Sequence, residues 1–181
     1  MNNAELVRVI ERAMLNVERD LCVQFFGLDG ANIWVSAEEI LAQGADMKDF
    51  LIHCGIDSDA AKEIVGRDFI YITADGFAGN LISGVSFDWD KFAELSKAMG
   101  NYDDDVIDAA IHCGIEFSKI EEAYKGYFRT FRDFAENHFE EYHMESIPEA
   151  HRHLIDFDAH ARDLQASSEY YSHDGHVFAN I

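Results

Sequence analysis

Apolar and polar positions follow two rhythms along this chain, and the switches between them mark its elements. Leu6, Val9, Ile10, Ala13 and Val17 recur at helical spacing in MNNAELVRVIERAMLNVER, behind Asn2 or Asn3 as caps, which predicts an amphipathic helix over residues 1–19. From Leu21 the rhythm becomes strand-like. LCVQFFG and ANIWVSA flank Leu28, Asp29 and Gly30, and the Asp-Gly pair predicts a hairpin turn. Helical spacing returns over DMKDFLIHC, starting from Asp46, with a further turn around 57–65. DFIYITA then reads as a strand that ends before Asp75 and Gly76. Strands around one or two helices predict a small α+β module over residues 20–87.

Residues 88–123 read as helical throughout. DWDKFAELSKAMG places Trp89, Phe92, Leu95 and Met99 on one face and Asp88, Asp90 and Glu94 off it, with Gly100 as the stop. A second helix opens at Asp103, Asp104 and Asp105, where carboxylates meet the positive end of the helix dipole, buries Val106, Ile107, Ala110 and Ile111, and ends at Gly114. The pair Ser118 and Glu121 predicts a capping box for a third helix.

The final segment, 124–181, is mixed again. A strand-like YKGYF precedes a helix carrying Phe131, Phe134, Ala135 and Phe139, and the single proline, Pro148, predicts the first position of a short helix in PEAHRHL. FDAHARDL predicts one more helix, followed by a hairpin turning at Asp174 and Gly175. The expected architecture is α+β: an elongated chain of small α/β modules (20–87 and 124–181) around a short acidic helical middle, 88–123, behind the N-terminal helix.

Charge sharpens this picture. The 181 residues hold 35 Asp and Glu against 14 Lys and Arg, a formal charge of −21, while 48% of positions are hydrophobic. Because the acids sit inside apolar periodicity rather than in a tail, they coat a folded body instead of solvating a disordered one. Residues 1–19 are neutral, 38–122 hold nineteen acids and six bases, and 133–181 hold eleven acids and two bases. Between the acidic territories, Lys125, Arg129 and Arg132 form a short basic interruption. The neutral N-terminal helix is expected to pack or to mediate association.

Such a surface repels nucleic acid and attracts proteins with a basic groove built for DNA phosphates. Three cations in YKGYFRTFR do not offset that repulsion, and intramolecular pairs with Asp133, Glu121 or Glu122 account for them, so direct nucleic-acid binding is not expected. Duplex DNA carries one charge per about 1.7 Å of axis, so 21 net charges correspond to roughly 36 Å. Carboxylates three or four residues apart on a helix lie about 5–6 Å from each other, comparable to neighbouring phosphates. The candidate phosphate-like set is Glu38, Glu39, Asp49, Asp88, Asp90, Glu94, Asp103, Asp104, Asp105, Asp108, Glu121, Glu122, Glu140 and Glu141, with Glu18 beyond it.

Other chemistries find little in the sequence. Cys22, Cys54 and Cys113 are odd in number and widely spaced, with no CxxC, which fits a reducing cytoplasm and suggests neither disulfides nor a thiolate site. No apolar run approaches the roughly 18 residues of a membrane span, and residues 1–20 lack signal-peptide character, so an unexported protein away from the membrane is expected. There is no GxSxG, no activated-cysteine signature and no phosphate loop, so no catalytic residue is assigned. Nine histidines raise the question of a metal, but there is no HExxH. His138 and His143 are five apart, a poorer fit to one helical face than four, and His151 and His153 face different ways on a helix, although an extended segment would let them converge. Neither a metal site nor a cofactor is therefore expected.

The C-terminal third resembles a known family. IPEAHRHLIDFDAHARDL (147–164), followed by EYYSHDGHVFANI (169–181), resembles the end of the ArdA antirestriction proteins, where a stretch of the type I/V-P-E-x-L-x-x-Y-F-D-[FY]-x-A-x-A-R-D-L precedes a short strand pair. Phe157, Asp158, Ala161, Arg162, Asp163 and Leu164 match that pattern. DGFAGNLIS (75–83) is similar to the family's Y-E-G-F-P-G segment, and YKGYFRTFRDFAE (124–136) to its Y-x-G strand and following helix. The chain departs from the family at Leu154, Ile155 and Asp156 in place of Y-F-D, at Ala78 in place of proline, and at Arg129 and Arg132 where acids are usual.

What the resemblance implies is a dimeric, bent protein of three small modules, carried by phages and conjugative elements. It would mimic B-form DNA and occupy the DNA groove of Type I restriction-modification enzymes, with no catalysis of its own. The IPEAHRHL segment matches the family's antirestriction motif, which implies a module or subunit interface at Ile147, Pro148, Leu154 and Phe157. Three other readings stay open: mimicry aimed at a CRISPR effector or a nucleoid protein, a metal-dependent hydrolase using the His-rich 138–160 region, and a plain acidic interaction module docking through its N-terminal helix.

Overall fold

The computed structural model describes residues 3–13, 20–28 and 32–181 and divides into two compact units, 1–96 and 97–181. The first opens with α1 (Asn3–Ala13), whose Leu6 and Ile10 are 0% exposed. Each such side chain contributes about 1.5–3 kcal/mol on burial, so this helix belongs to the core. Residues 14–19, with the predicted helical position Val17 and the carboxylate Glu18, lie outside the described residues, as does the predicted cap Asn2.

Strand β1 (Leu21–Phe25) is the centre of an antiparallel sheet, flanked by β2 (Asn32–Val35) and β3 (Phe69–Ala74). Leu21, Cys22, Val23 and Phe25 are all buried, as a central strand covered on both faces requires. The β1–β2 hairpin is as predicted in pairing, Leu21 opposite Val35 and Val23 opposite Ile33, while its turn at Asp29 and Gly30 lies outside the described residues.

Three short helices follow: α2 (Ala37–Ala42), α3 (Met47–His53) and α4 (Ser58–Val65). Asp46 and Asp57 cap the latter two by accepting the Asp49 and Ala60 backbone N–H groups, at 2.9 and 3.3 Å. Helix α2 lies between the predicted strand and the predicted helix start at Asp46, where no helix was expected. Its signal is Ser36 followed three residues later by Glu39, and the Ser36 hydroxyl does accept the Glu39 N–H at 3.3 Å. Asp20 completes that end by accepting the Ala37 N–H at 2.7 Å.

After β3 come a 3-10 turn (Gly76–Leu81) and a two-stranded ribbon, β4 (Ile82–Ser83) and β5 (Ser86–Phe87). An aromatic chain joins sheet to helix: Phe25 meets Phe69 at 5.3 Å, Phe69 meets Tyr71 at 5.6 Å, and Tyr71 meets Phe87 and Trp89 at 5.7 and 5.9 Å. It ends on Phe92 of α5 (Trp89–Met99), 5.3 Å from Phe87. Phe92 and Leu95 are buried as expected, but Met99 is 44% exposed and Ala98 takes the inward position. The helical stripe has rotated by one residue at its end, where the chain leaves for the next element.

The first helix wholly within the second unit is α6 (Asp104–Cys113), capped at its C-terminal end by Gly114 in the left-handed region, φ 71°. The predicted capping box is absent. Ser118 lies inside a 3-10 turn (Phe117–Lys119), and α7 is a single turn, Ile120–Ala123, without a side-chain cap. Ile120 and Ala123 are fully buried, so packing rather than capping holds that turn.

Strand β6 (Tyr124–Tyr127) pairs with β8 (His176–Ala179), which pairs with β7 (Tyr170–His173). Asp174 and Gly175 both have positive φ, 46° and 87°, the mirror-image turn that an Asp-Gly hairpin demands. A Cβ at Gly175 would lie 2.6 Å from the Tyr127 ring and 2.8 Å from the Phe128 carbonyl. Helices α8 (Phe131–Tyr142) and α9 (Phe157–Ser167) pack together. Phe134, Ala135, Ala161, Leu164 and Val177 form the core there, with Phe128, Phe131 and Tyr170 against it. Between the helices, Pro148 precedes a 3-10 turn (Glu149–Leu154) as its cap, rather than standing first in an α-helix. The whole is α+β, as the sequence predicts.

Candidate functional site: the acidic surface

Charge divides almost evenly between the units. Residues 1–96 hold seventeen acids and seven bases, and 97–181 hold eighteen and seven, for formal charges of −10 and −11. Neither unit is a neutral scaffold for the other's acidity.

In the first unit, Glu38, Asp49, Asp88, Asp90 and Glu94 are exposed and Glu39 is half-buried. Asp49 is paired with Lys48 at 3.4 Å and Asp88 with Lys91 at 3.9 Å, while Glu38 accepts the Ser96 hydroxyl at 3.2 Å. Asp90 and Glu94 stand one turn apart on α5 and have no ion pair among the described residues, so their charge is undiminished. Glu39 acts inward: burial first and Glu39 second push the Cys54 thiol up to about 11.

In the second unit, Asp103, Asp104, Asp105, Glu121, Glu122, Glu140 and Glu141 are all exposed, and none has an ion pair among the described residues. Asp103 occupies the cap position of α6 without making a side-chain cap bond, unlike Asp46, Asp57 and Asp156. Its charge reaches a neighbour instead: burial raises the Tyr124 phenol, and Asp103 adds to that rise. Glu140 and Glu141 lie in the last turn of α8, where the helix dipole disfavours negative charge and no basic residue offsets it.

Asp108 departs from the expected picture of a free phosphate-like charge. It is half-buried, its carboxylate 3.2 Å from His112 Nδ1 and 3.9 Å from His173 Nε2, and the two imidazoles stack at 4.0 Å. Among exposed acids the prediction left out, Asp59, Glu145 and Glu149 also lack ion pairs among the described residues.

Both arginines of the basic interruption are paired internally. Arg129 pairs with Asp133 at 3.7 Å, as the sequence suggests, and Arg132 pairs with Glu136 and Asp158 at 3.2 and 3.0 Å rather than with Glu121 or Glu122. Lys125 donates to the Glu122 carbonyl at 3.1 Å. The segment predicted as an interface is surface-lying: Pro148 and Leu154 are exposed, Leu154 by 68%, and Ile147 and Phe157 are half-buried. Phe157 lies 5.8 Å from Phe139, under the Arg132 guanidinium.

Sequence spacing failed at one cluster. His138, His143 and His160 bring one ring nitrogen each within 4.8 Å of the others. The five-residue spacing presumed both histidines on one helix, but His143 ends α8 with φ −127° and leaves the helical path. His160 comes from α9, 22 residues after His138, and no local motif announces it. Burial, then His160 and His143, hold His138 below the ordinary imidazole range against Glu141 and Glu169, which act the other way. His160 is lowered too, by burial and then His143, with Asp163 opposing.

These features describe a small acidic α+β protein whose unpaired charge lies on its exterior in both units. The chain belongs to the antirestriction protein (ArdA) family, whose model matches residues 31–178. That family is one of antirestriction proteins rather than of enzymes, so membership supports an antirestriction function and implies a protein target such as a restriction enzyme. No curated protein sequence matches it. No helix among the described residues is long and apolar enough to cross a membrane.

Proposed function

We propose that the protein carries out antirestriction as a charge mimic of duplex DNA, occupying the DNA-binding groove of a Type I restriction-modification enzyme in the cytoplasm. The observation that carries this reading is the near-equal charge of the two units, −10 and −11, together with exposed carboxylates on α5, α6, α7 and α8 that have no ion pair among the described residues. At about 1.7 Å of duplex axis per charge, the −11 of the second unit corresponds to roughly 19 Å of DNA. An enzyme groove lined with Lys and Arg would attract this surface as it attracts phosphates, without a scissile bond to act on. The Ile147–Leu154 segment, with Leu154 exposed, is the proposed association surface of a homodimer.

Restriction by a purified Type I enzyme, measured against inhibitor concentration at several salt concentrations, tests the reading. Inhibition should weaken steadily with added salt, with a shallower slope than DNA binding because the mimic lacks condensed counterions. Inhibition independent of salt would contradict it.

A further inference from the structure

The three imidazoles between α8 and α9 have the geometry of a ligand set rather than of scattered surface histidines. Their ring centroids form a nearly equilateral triangle: 5.4 Å from His138 to His160, 5.8 Å from His138 to His143, and 5.9 Å from His143 to His160. His138 Nδ1 and His160 Nε2 face each other at 3.3 Å. Zinc binds imidazole nitrogen at about 2.0–2.1 Å, so two nitrogens of a tetrahedral site stand about 3.3–3.4 Å apart. One edge of that tetrahedron is therefore already in place, and the third nitrogen is within 4.8 Å of both.

The surroundings suit the same ligand. Phe139 lies 5.3 Å from His143 and 5.2 Å from His160, and Tyr142 and Tyr170 lie 4.9 and 5.5 Å from His138. Phe139 and Tyr170, both half-buried, line the inner side of the cluster, while Tyr142 is 64% exposed. The outer side is open at the exposed His143. The other gathering of histidines, around Asp108, is less suited. His112 Nδ1 is already engaged there by the Asp108 carbonyl at 2.9 Å and the Asp108 carboxylate at 3.2 Å.

We infer that His138, His143 and His160 form a zinc site that clasps the end of α8 to α9, with solvent as the fourth ligand. The metal would take the place of the hydrogen bond between His138 Nδ1 and His160 Nε2, with both nitrogens turned to one cation. His143 ends α8 one residue before the 3-10 turn Met144–Ser146, so ligation fixes where the following segment departs. The role is structural and requires no turnover, and it is independent of phosphate mimicry.

The test uses the full-length, tag-free, chelator-stripped protein, titrated with Zn²⁺ against a competing chromogenic chelator. A single zinc equivalent per chain is expected, with a higher thermal midpoint in zinc than in EDTA. His143→Ala, at an exposed position that leaves the core untouched, should weaken zinc binding at least about tenfold, as should His160→Asn. His112→Ala and the pair His151→Ala with His153→Ala should leave it unchanged. Co²⁺ in place of Zn²⁺ should give the visible absorption of four-coordinate cobalt, lost in His143→Ala. No saturable zinc binding, binding indifferent to His143→Ala, or a spectrum of fully hydrated Co²⁺ would overturn the site.

Discussion

Reversing the charge of Glu140 and Glu141 separates what the acidic surface does for the fold from what it does for the target. Both carboxylates are exposed in the last turn of α8, where the dipole is unfavourable to them and no basic residue compensates. Lysine there gains about 0.3–1 kcal/mol per position from the dipole. Glu140→Lys would also set a lysine four residues after Glu136, in the favourable Glu-to-Lys order, adding roughly 0.3–0.5 kcal/mol. The double variant Glu140→Lys, Glu141→Lys should thus be more stable than the parent by about 1–2.5 kcal/mol, raising its melting temperature by several degrees. Its effect on inhibition has the opposite sign. A unit charge 4 Å from a groove cation is worth about 1 kcal/mol in water, and reversal turns that attraction into an equal repulsion. Two reversals would cost up to about 4 kcal/mol, which screening at physiological salt reduces to roughly a 10- to 100-fold loss of affinity. The assay pairs thermal melting with inhibition of a Type I enzyme, each protein having been stripped of metal and freed of chelator beforehand so that the histidine cluster does not intervene. Glu140→Gln with Glu141→Gln should fall between. A more stable lysine variant that inhibits as well as the parent would refute the assignment of this end of α8 to the target-binding surface.

Other consequences are equally open to measurement. Cys54, with its thiol pushed up to about 11, should react with iodoacetamide at pH 8 about 20-fold more slowly than an unperturbed thiol, the scarcity of thiolate being partly offset by its greater nucleophilicity; reaction at the rate of a free thiol would contradict its described surroundings. Phe134→Ala removes a buried ring that meets Phe128, Phe131 and Tyr170 at 4.9–5.3 Å, and should cost about 3–5 kcal/mol in denaturant unfolding. Leu154→Ala, at a largely exposed position, should leave the melting temperature nearly unchanged but shift sedimentation toward the monomer; an unchanged sedimentation profile would remove Leu154 from the proposed dimer contact.

Where local chemistry decides conformation, the sequence was a sufficient guide. Asp46 and Asp57 start helices because a carboxylate satisfies orphan N–H groups, Gly114 ends one because it tolerates positive φ, and Asp174–Gly175 turns a hairpin for the same reason. Where packing decides, the sequence misled. Met99 has the right spacing to be buried, yet Ala98 takes the inward place, and Ser118 has a capping signature in a segment held by the buried Ile120 and Ala123. The acids of the surface were legible one by one from their polar helical faces, but Asp108 was only half so: His112, four residues on, is a local partner, whereas His173, stacked on it, arrives from a strand 65 residues later. The histidine triad was hidden for a related reason: one member lies where a helix ends and another lies on the next helix, so no spacing rule links them.

The most direct measurement of the central claim is mutual displacement. A labelled duplex bound to a Type I restriction enzyme is titrated with the protein, and the labelled protein bound to the same enzyme is titrated with duplex, both at fixed salt. Mimicry requires the same lysines and arginines to hold phosphate in one complex and carboxylate in the other, so each ligand should displace the other completely, with midpoints that follow simple competition. A ternary complex of enzyme, saturating DNA and saturating protein would contradict the account.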